Sequence, residues 1–273
     1  SRKNNFQKNK SPTDSYLLEY RYSGYLRKYI LDRYFELKRA YRITHPKYHY
    51  VPHFTIAGPI ITNNENELIK EIQKIIFRNA HNFHEPGNLV GTGKFITFKT
   101  DIGGQVLAIE INPPTSLVNL KNEIESSLKT NVIFRCQSYK RVIWHTTLWN
   151  MKKNAHENKD KFQQVWRNLE NSPPEMKFIL DRITLLKNER ILNEFDLVEL
   201  KSYSRIESLD ENKRYESYQK LKAELKSKGE SFKFFNQKTD NSVVTSEHYG
   251  SEEKDQEEST ETQDGIIQAE WNF

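Results

Sequence analysis

A four-residue pattern occurs twice in this chain, each time inside an apolar, β-prone run. His53-Phe54-Thr55-Ile56 lies in YVPHFTIAGPI, and His145-Thr146-Thr147-Leu148 lies in RVIWHTTLW. Successive side chains of a strand point to opposite faces, so the His and the Thr of each copy share one face. Each copy therefore presents one imidazole and one hydroxyl together. The surrounding elements repeat as well. Strand, helix and motif strand come first, followed by a helix and strands; then strand, helix and motif strand come again. This order predicts one β-α-β unit used twice, with a His-x-Thr strand in each.

The elements follow from periodicity and punctuation. Residues 16–22 (YLLEYRY) read as a strand. Residues 25–42 read as a helix, with Leu26, Ile30, Tyr34, Leu37 and Tyr41 at helical spacing. The first motif strand spans 50–57 and is expected to end at Gly58-Pro59. A helix over 65–80 carries Leu68, Ile69, Ile72, Ile75 and Ile76 on one side, with Asn63 or Asn64 as its cap. Strands at 89–99 and 105–112, a helix over 115–129, the second motif strand at 141–149 and a helix over 158–171 come next. Residues 177–187 and 194–201 read as closing strands around a loop, and 209–228 as a polar, charged helix. The expected organisation is a flexible basic N-terminus (1–14), a main domain (15–203), a charged helical extension (204–236) and an acidic, disordered tail (237–273).

Charge and cysteine usage narrow the setting. The net charge of +5 hides an asymmetry, because residues 237–273 carry −8 and the remainder +13. A body this basic suits a polyanionic partner, with RNA or DNA foremost. The acidic tail, tipped with Ile266-Ile267 and Trp271-Asn272-Phe273, suits a protein partner. A single cysteine, Cys136, fits a reducing compartment, so a cytoplasmic location is expected. No apolar run is long enough to span a membrane, and the first residues lack the apolar stretch of a signal peptide, so no membrane partner is expected.

The motif residues suit the breaking of a phosphodiester without a metal. That reaction needs a base to activate a nucleophile and an acid to protonate the leaving oxygen, and histidine serves both roles near neutral pH. His53 and His145 are the candidate acid and base. Thr55 and Thr147 are candidate donors to the phosphoryl oxygens. In simple alternation the second strand also puts Arg141 and Trp149 on the motif face, where Arg141 would pair with a phosphate and Trp149 would stack on a base. The bland alternative is two unrelated core histidines. No metal or cofactor is expected. His45, His49 and His53 have helical ligand spacing, but Pro46 and Pro52 interrupt any helix there. His81 and His84 read as helix-terminal, and His156 and His248 as solvated. Cys136 reads as structural rather than nucleophilic. Phosphate-loop and dinucleotide-binding glycine motifs are absent.

The paired motifs, HFTI at 53–56 and HTTL at 145–148, resemble those of the two-histidine phosphoesterase superfamily. That superfamily includes the "2′-5′ RNA ligase" proteins, RNA 2′,3′-cyclic phosphodiesterases and plant-type cyclic phosphodiesterases. The resemblance covers about residues 15–203; the Tyr-rich opening strand departs from the usual family opening. It implies a bilobal α+β fold of two pseudo-symmetric β-α-β units, with antiparallel sheets lining a central cleft. It also implies active residues His53, Thr55, His145 and Thr147, acting without metal on RNA ends or cyclic nucleotides. Hydrolysis of 2′,3′-cyclic or 2′-5′ linked phosphates is the expected activity, with His145 activating water and His53 protonating the leaving oxygen. A 2′-5′ RNA end ligase and a non-catalytic RNA-binding module are the alternatives.

Overall fold

The computed structural model describes residues 14–43, 51–100, 104–131, 133–136, 142–151, 159–169, 173 and 175–229. In chain order the elements are β1 (Ser15–Arg21), α1 (Gly24–Tyr41), β2 (His53–Ile61), α2 (Glu65–Asn79), a 3-10 turn (Ala80–His84), β3 (Val90–Lys99), β4 (Gln105–Asn112) and α3 (Thr115–Thr130). They continue with β5 (Arg135–Cys136), β6 (His145–Met151), α4 (Lys159–Asn168), β7 (Lys177–Phe178), β8 (Arg182–Lys187), β9 (Arg190–Asp196), β10 (Lys201–Ser204), α5 (Arg205–Ser208) and α6 (Glu211–Ser227). The strands form two antiparallel sheets, ordered β10-β9-β8-β1-β2-β5 and β6-β4-β3-β7. The expected twofold logic is visible in the pairing. β1 pairs with β2 across α1, and β4 pairs with β6 across α3. Each motif strand is thus held by the strand that opens its own unit.

Helix formation follows the apolar spacing. α1 buries Leu26, Ile30, Tyr34 and Leu37, and α3 buries Leu117, Leu120, Ile124 and Leu128. α2 buries Leu68, Ile72, Ile75 and Ile76, and its cap is Asn64, whose side chain accepts from Glu67 N at 3.4 Å. Glu65 and Glu67 in the first turn and Arg78 in the last complement the helix dipole. These helix faces and the apolar sides of both sheets share one continuous core, so the two lobes fold as one unit.

Three expectations need correction. Gly58-Pro59 does not end β2, which runs on to Ile61. Gly58 adopts φ +121, and a Cβ there would sit 3.1 Å from Tyr16 O, so only glycine fits the close approach of β1. The stretch read as a loop between closing strands is instead a tight β8–β9 hairpin. Its turn residues, Asn188 and Glu189, both have positive φ, the conformation that two-residue hairpin turns require. β6 starts at His145, later than the expected 141. The polar, charged helix read over 209–228 forms as α6, and it packs onto the body of the protein. Leu221 and Leu225 pack with Ile179, Ser217 Oγ donates to Asp196, and Arg214 pairs with Asp181 at 3.1 Å.

Candidate active site

β2 and β6 belong to different sheets but come into contact at the junction of the lobes. The residue between His and Thr in each motif points inward. Phe54 and Thr146 are both fully buried. Phe54 lies edge-on to Trp144, with ring centroids 6.0 Å apart. Thr146 Oγ1 lies 2.5 Å from the hydroxyl of Tyr22, the residue just after β1. Two further bonds fix the strands: Tyr22 N donates to Pro52 O at 3.0 Å, and Tyr34 Oη donates to Thr147 O at 3.0 Å. With the inward positions committed to this aromatic and hydroxyl seam, His53, Thr55, His145 and Thr147 take the opposite, partly exposed faces.

The two imidazoles are anchored alike. Nδ1 of His53 lies 2.7 Å from Val51 O, and Nδ1 of His145 lies 2.7 Å from Ile143 O. A carbonyl oxygen only accepts, so each Nδ1 carries a proton and donates it. That leaves each Nε2 for proton transfer. The rings differ in their surroundings. His145 meets Phe98 of β3 edge-on at 4.8 Å between centroids. Desolvation there pushes its pKa below the ordinary imidazole value; the Ile143 carbonyl opposes this and the nearby charge of His53 adds to it. His53 faces a carboxylate instead. Glu19 Oε2 of β1 lies 3.7 Å from His53 Nε2, and Glu19 Oε1 accepts from Arg21 Nε at 2.8 Å.

Each motif strand carries a β-bulge at the same place. In β2, Thr55 pairs with Glu19 and Ala57 with Leu18, so Ile56 is the extra residue. In β6, Thr147 pairs with Ala108 and Trp149 with Leu107, so Leu148 is the extra residue. A bulge shifts the alternation by one and re-aims the side chains beyond it. The structure places Trp149, expected to stack on a base, in the core and away from the motif face. The residue is 6% exposed and its ring packs against Phe162 of α4 at 5.2 Å between centroids. Arg141, the other candidate binding residue, lies outside the described residues.

The bulges also fix the cross-strand neighbours. Arg21 is opposite His53 and Glu19 opposite Thr55; Glu110 is opposite His145 and Ala108 opposite Thr147. Glu19, Arg21 and Phe98 were missed in the sequence. The signal for the first two was legible: two charged residues at period two inside the apolar strand YLLEYRY. Phe98 left no mark among neighbouring core aromatics. Among the described residues no group of three or more His, Cys, Asp or Glu side chains is placed to hold a metal. His45 and His49 lie outside the described residues. Cys136 is half-buried at the edge of the first sheet, with its thiol pKa raised by desolvation. No described helix is long and apolar enough to cross a membrane.

No protein-family model matches this chain, and no curated protein does. Among solved structures, it is similar to Usb1 of Kluyveromyces marxianus at 14% identity and TM-score 0.36, over 67% of this chain and 97% of that one. The structure of that protein with uridine monophosphate gives 11% and 0.35, over 67% and 97%. A crystal structure described as a phosphoesterase gives 13% and 0.36, over 70% and 98%. Likeness at this level assigns neither substrate nor residue roles to this chain.

Proposed function

We propose that this chain is a metal-independent phosphodiesterase acting on RNA ends or related nucleotides, with 2′,3′-cyclic phosphates as its first candidate substrate. The observation that carries the reading is the matched anchoring of two imidazoles. Each has Nδ1 tied to the carbonyl two residues upstream, a threonine beside it on the same face, and Nε2 left for chemistry. The resemblance of HFTI and HTTL to the two-histidine phosphoesterases agrees with it, as does the basic body. In this reading His145, held neutral by desolvation, takes a proton from water at Nε2 as the water oxygen attacks phosphorus. The bond from phosphorus to the 2′ or 3′ oxygen breaks, and His53 Nε2 gives that oxygen a proton. The Thr55 and Thr147 hydroxyls donate to the non-bridging oxygens, whose charge rises along the way. The product is a phosphomonoester, and solvent returns the protons.

The test is incubation of the protein, with EDTA present, with an oligonucleotide ending in a 2′,3′-cyclic phosphate and, separately, with 2′-5′ oligoadenylate. Conversion by the wild type is expected, with His53→Ala and His145→Ala each slower by about 10²- to 10⁴-fold, the usual contribution of a positioned acid or base. Near-normal turnover in either variant would refute paired-histidine catalysis.

A further inference from the structure

The two motif strands match in register, bulge and Nδ1 anchoring, yet the matching positions on their partner strands differ. Opposite Thr55 stands Glu19; opposite Thr147 stands Ala108. Glu19 is 2% exposed, an unusual place for a carboxylate. One of its oxygens is occupied by Arg21 Nε at 2.8 Å, and the other faces His53 Nε2 at 3.7 Å. We infer that Glu19 is a positioning residue that makes the two histidines unequal, holding His53 as the proton donor and leaving His145 as the proton acceptor.

The argument is geometric. With Nδ1 of His53 donating to Val51 O, a neutral ring would turn the Nε2 lone pair toward the carboxylate, which is repulsive. A protonated ring brings positive charge within 3.7 Å of it, which is attractive, and the low solvent access of Glu19 strengthens the attraction. Among the described residues no carboxylate forms an ion pair with His145. Glu110 is its cross-strand neighbour but makes no ion pair with it, and the His145 ring instead lies nearly perpendicular to Phe98, with centroids 4.8 Å apart. Among the described residues the charged groups that the structure brings to His53 are Glu19 and Arg21 from β1 and His145 from β6. Arg21 opposes a cation at His53. Its tie through Nε to Glu19 also fixes the direction of that carboxylate, so Arg21 orients the second oxygen toward the ring while partly screening it.

This inference rests on the proposed function for its catalytic meaning, but its test does not require turnover. Long-range ¹H–¹⁵N NMR reads both histidine rings, with signals assigned from His53→Gln and His145→Gln. In Glu19→Gln the His53 ring signals are expected to shift, because the carboxylate beside Nε2 is gone, with those of His145 moving far less. Where a substrate is turned over, Glu19→Gln should slow cleavage of a diester with an alkoxide leaving group by about tenfold or more, and should slow one with a nitrophenoxide leaving group, which needs no proton, far less. Equal slowing of both diesters overturns the inference. So do His53 signals unmoved in Glu19→Gln. Absent turnover with the expected NMR result would count against the phosphodiesterase reading alone.

Discussion

His145 gains its character from Phe98 and from the carbonyl behind it, and this has two consequences for pH. In its proposed role as the base it must be neutral, so the acidic limb of kcat/KM is expected below the ordinary imidazole value of about 6.5. The same depression bears on stability. The folded ring binds its proton less readily than the unfolded one. Its contribution is therefore fully present above about pH 6.5 and is lost as pH falls through that value toward the lower folded pKa. His84, lowered by burial too, adds to this in the same direction. The urea midpoint should fall between pH 7.5 and pH 5.5, and His145→Gln should narrow the difference. A second residue-scale expectation concerns the seam. Tyr22→Phe leaves Thr146 Oγ1 buried without its 2.5 Å partner, at a cost of about 1–3 kcal/mol. Thr146→Val in the same protein should recover part of that cost, as a double-mutant cycle would show. The imidazoles and hydroxyls were legible in the sequence because His-x-Thr repeats in strand context. Their inequality was not, because Glu19 lies on another strand and meets His53 only through the register of β1 with β2.

At the scale of elements, the bulges decide which side chains reach the cleft. Alternation read from the sequence counts every residue once and put Trp149 beside Thr147. The strand spends Leu148 on a bulge, and Trp149 turns into the core against Phe162. Trp149→Ala should therefore cost about 3–5 kcal/mol of stability, as large aromatic truncations in cores do. KM for a nucleotide substrate, measured where the variant remains folded, should stay near wild type. A raised KM at unchanged unfolding free energy would restore Trp149 to the substrate. The β8–β9 turn was hidden for a related reason. Asn188-Glu189 takes up two positive φ angles without a glycine to announce them, whereas Asn64 announced its helix by the side chain that caps it. Helix positions came through well because the apolar spacing of α1, α2 and α3 is the spacing that packing uses.

At the scale of the whole molecule, the polar helix α6 closes the first sheet rather than trailing from it. Arg214 reaches Asp181, which is fully buried beside β8, at 3.1 Å, and its guanidinium also donates to Arg21 O at 2.7 Å. The carbonyl it holds belongs to the same residue whose side chain pairs with Glu19, so α6 braces the backbone that carries the asymmetry of the site. A helix with so many charges reads only as a charged extension, because sequence shows the charges without the buried carboxylate that receives one of them. Removing one member of a buried pair leaves the other uncompensated, so Arg214→Ala should cost about 3–5 kcal/mol. Replacing both groups by apolar side chains, Arg214→Met with Asp181→Leu, should recover much of this, since neither charge is then stranded. A chain cut at residue 203 loses the same contacts together with the Leu221 and Leu225 packing. It should melt below a chain cut at 229. If the two truncations melted alike, α6 would be an ornament on the sheet, and the site would owe it nothing.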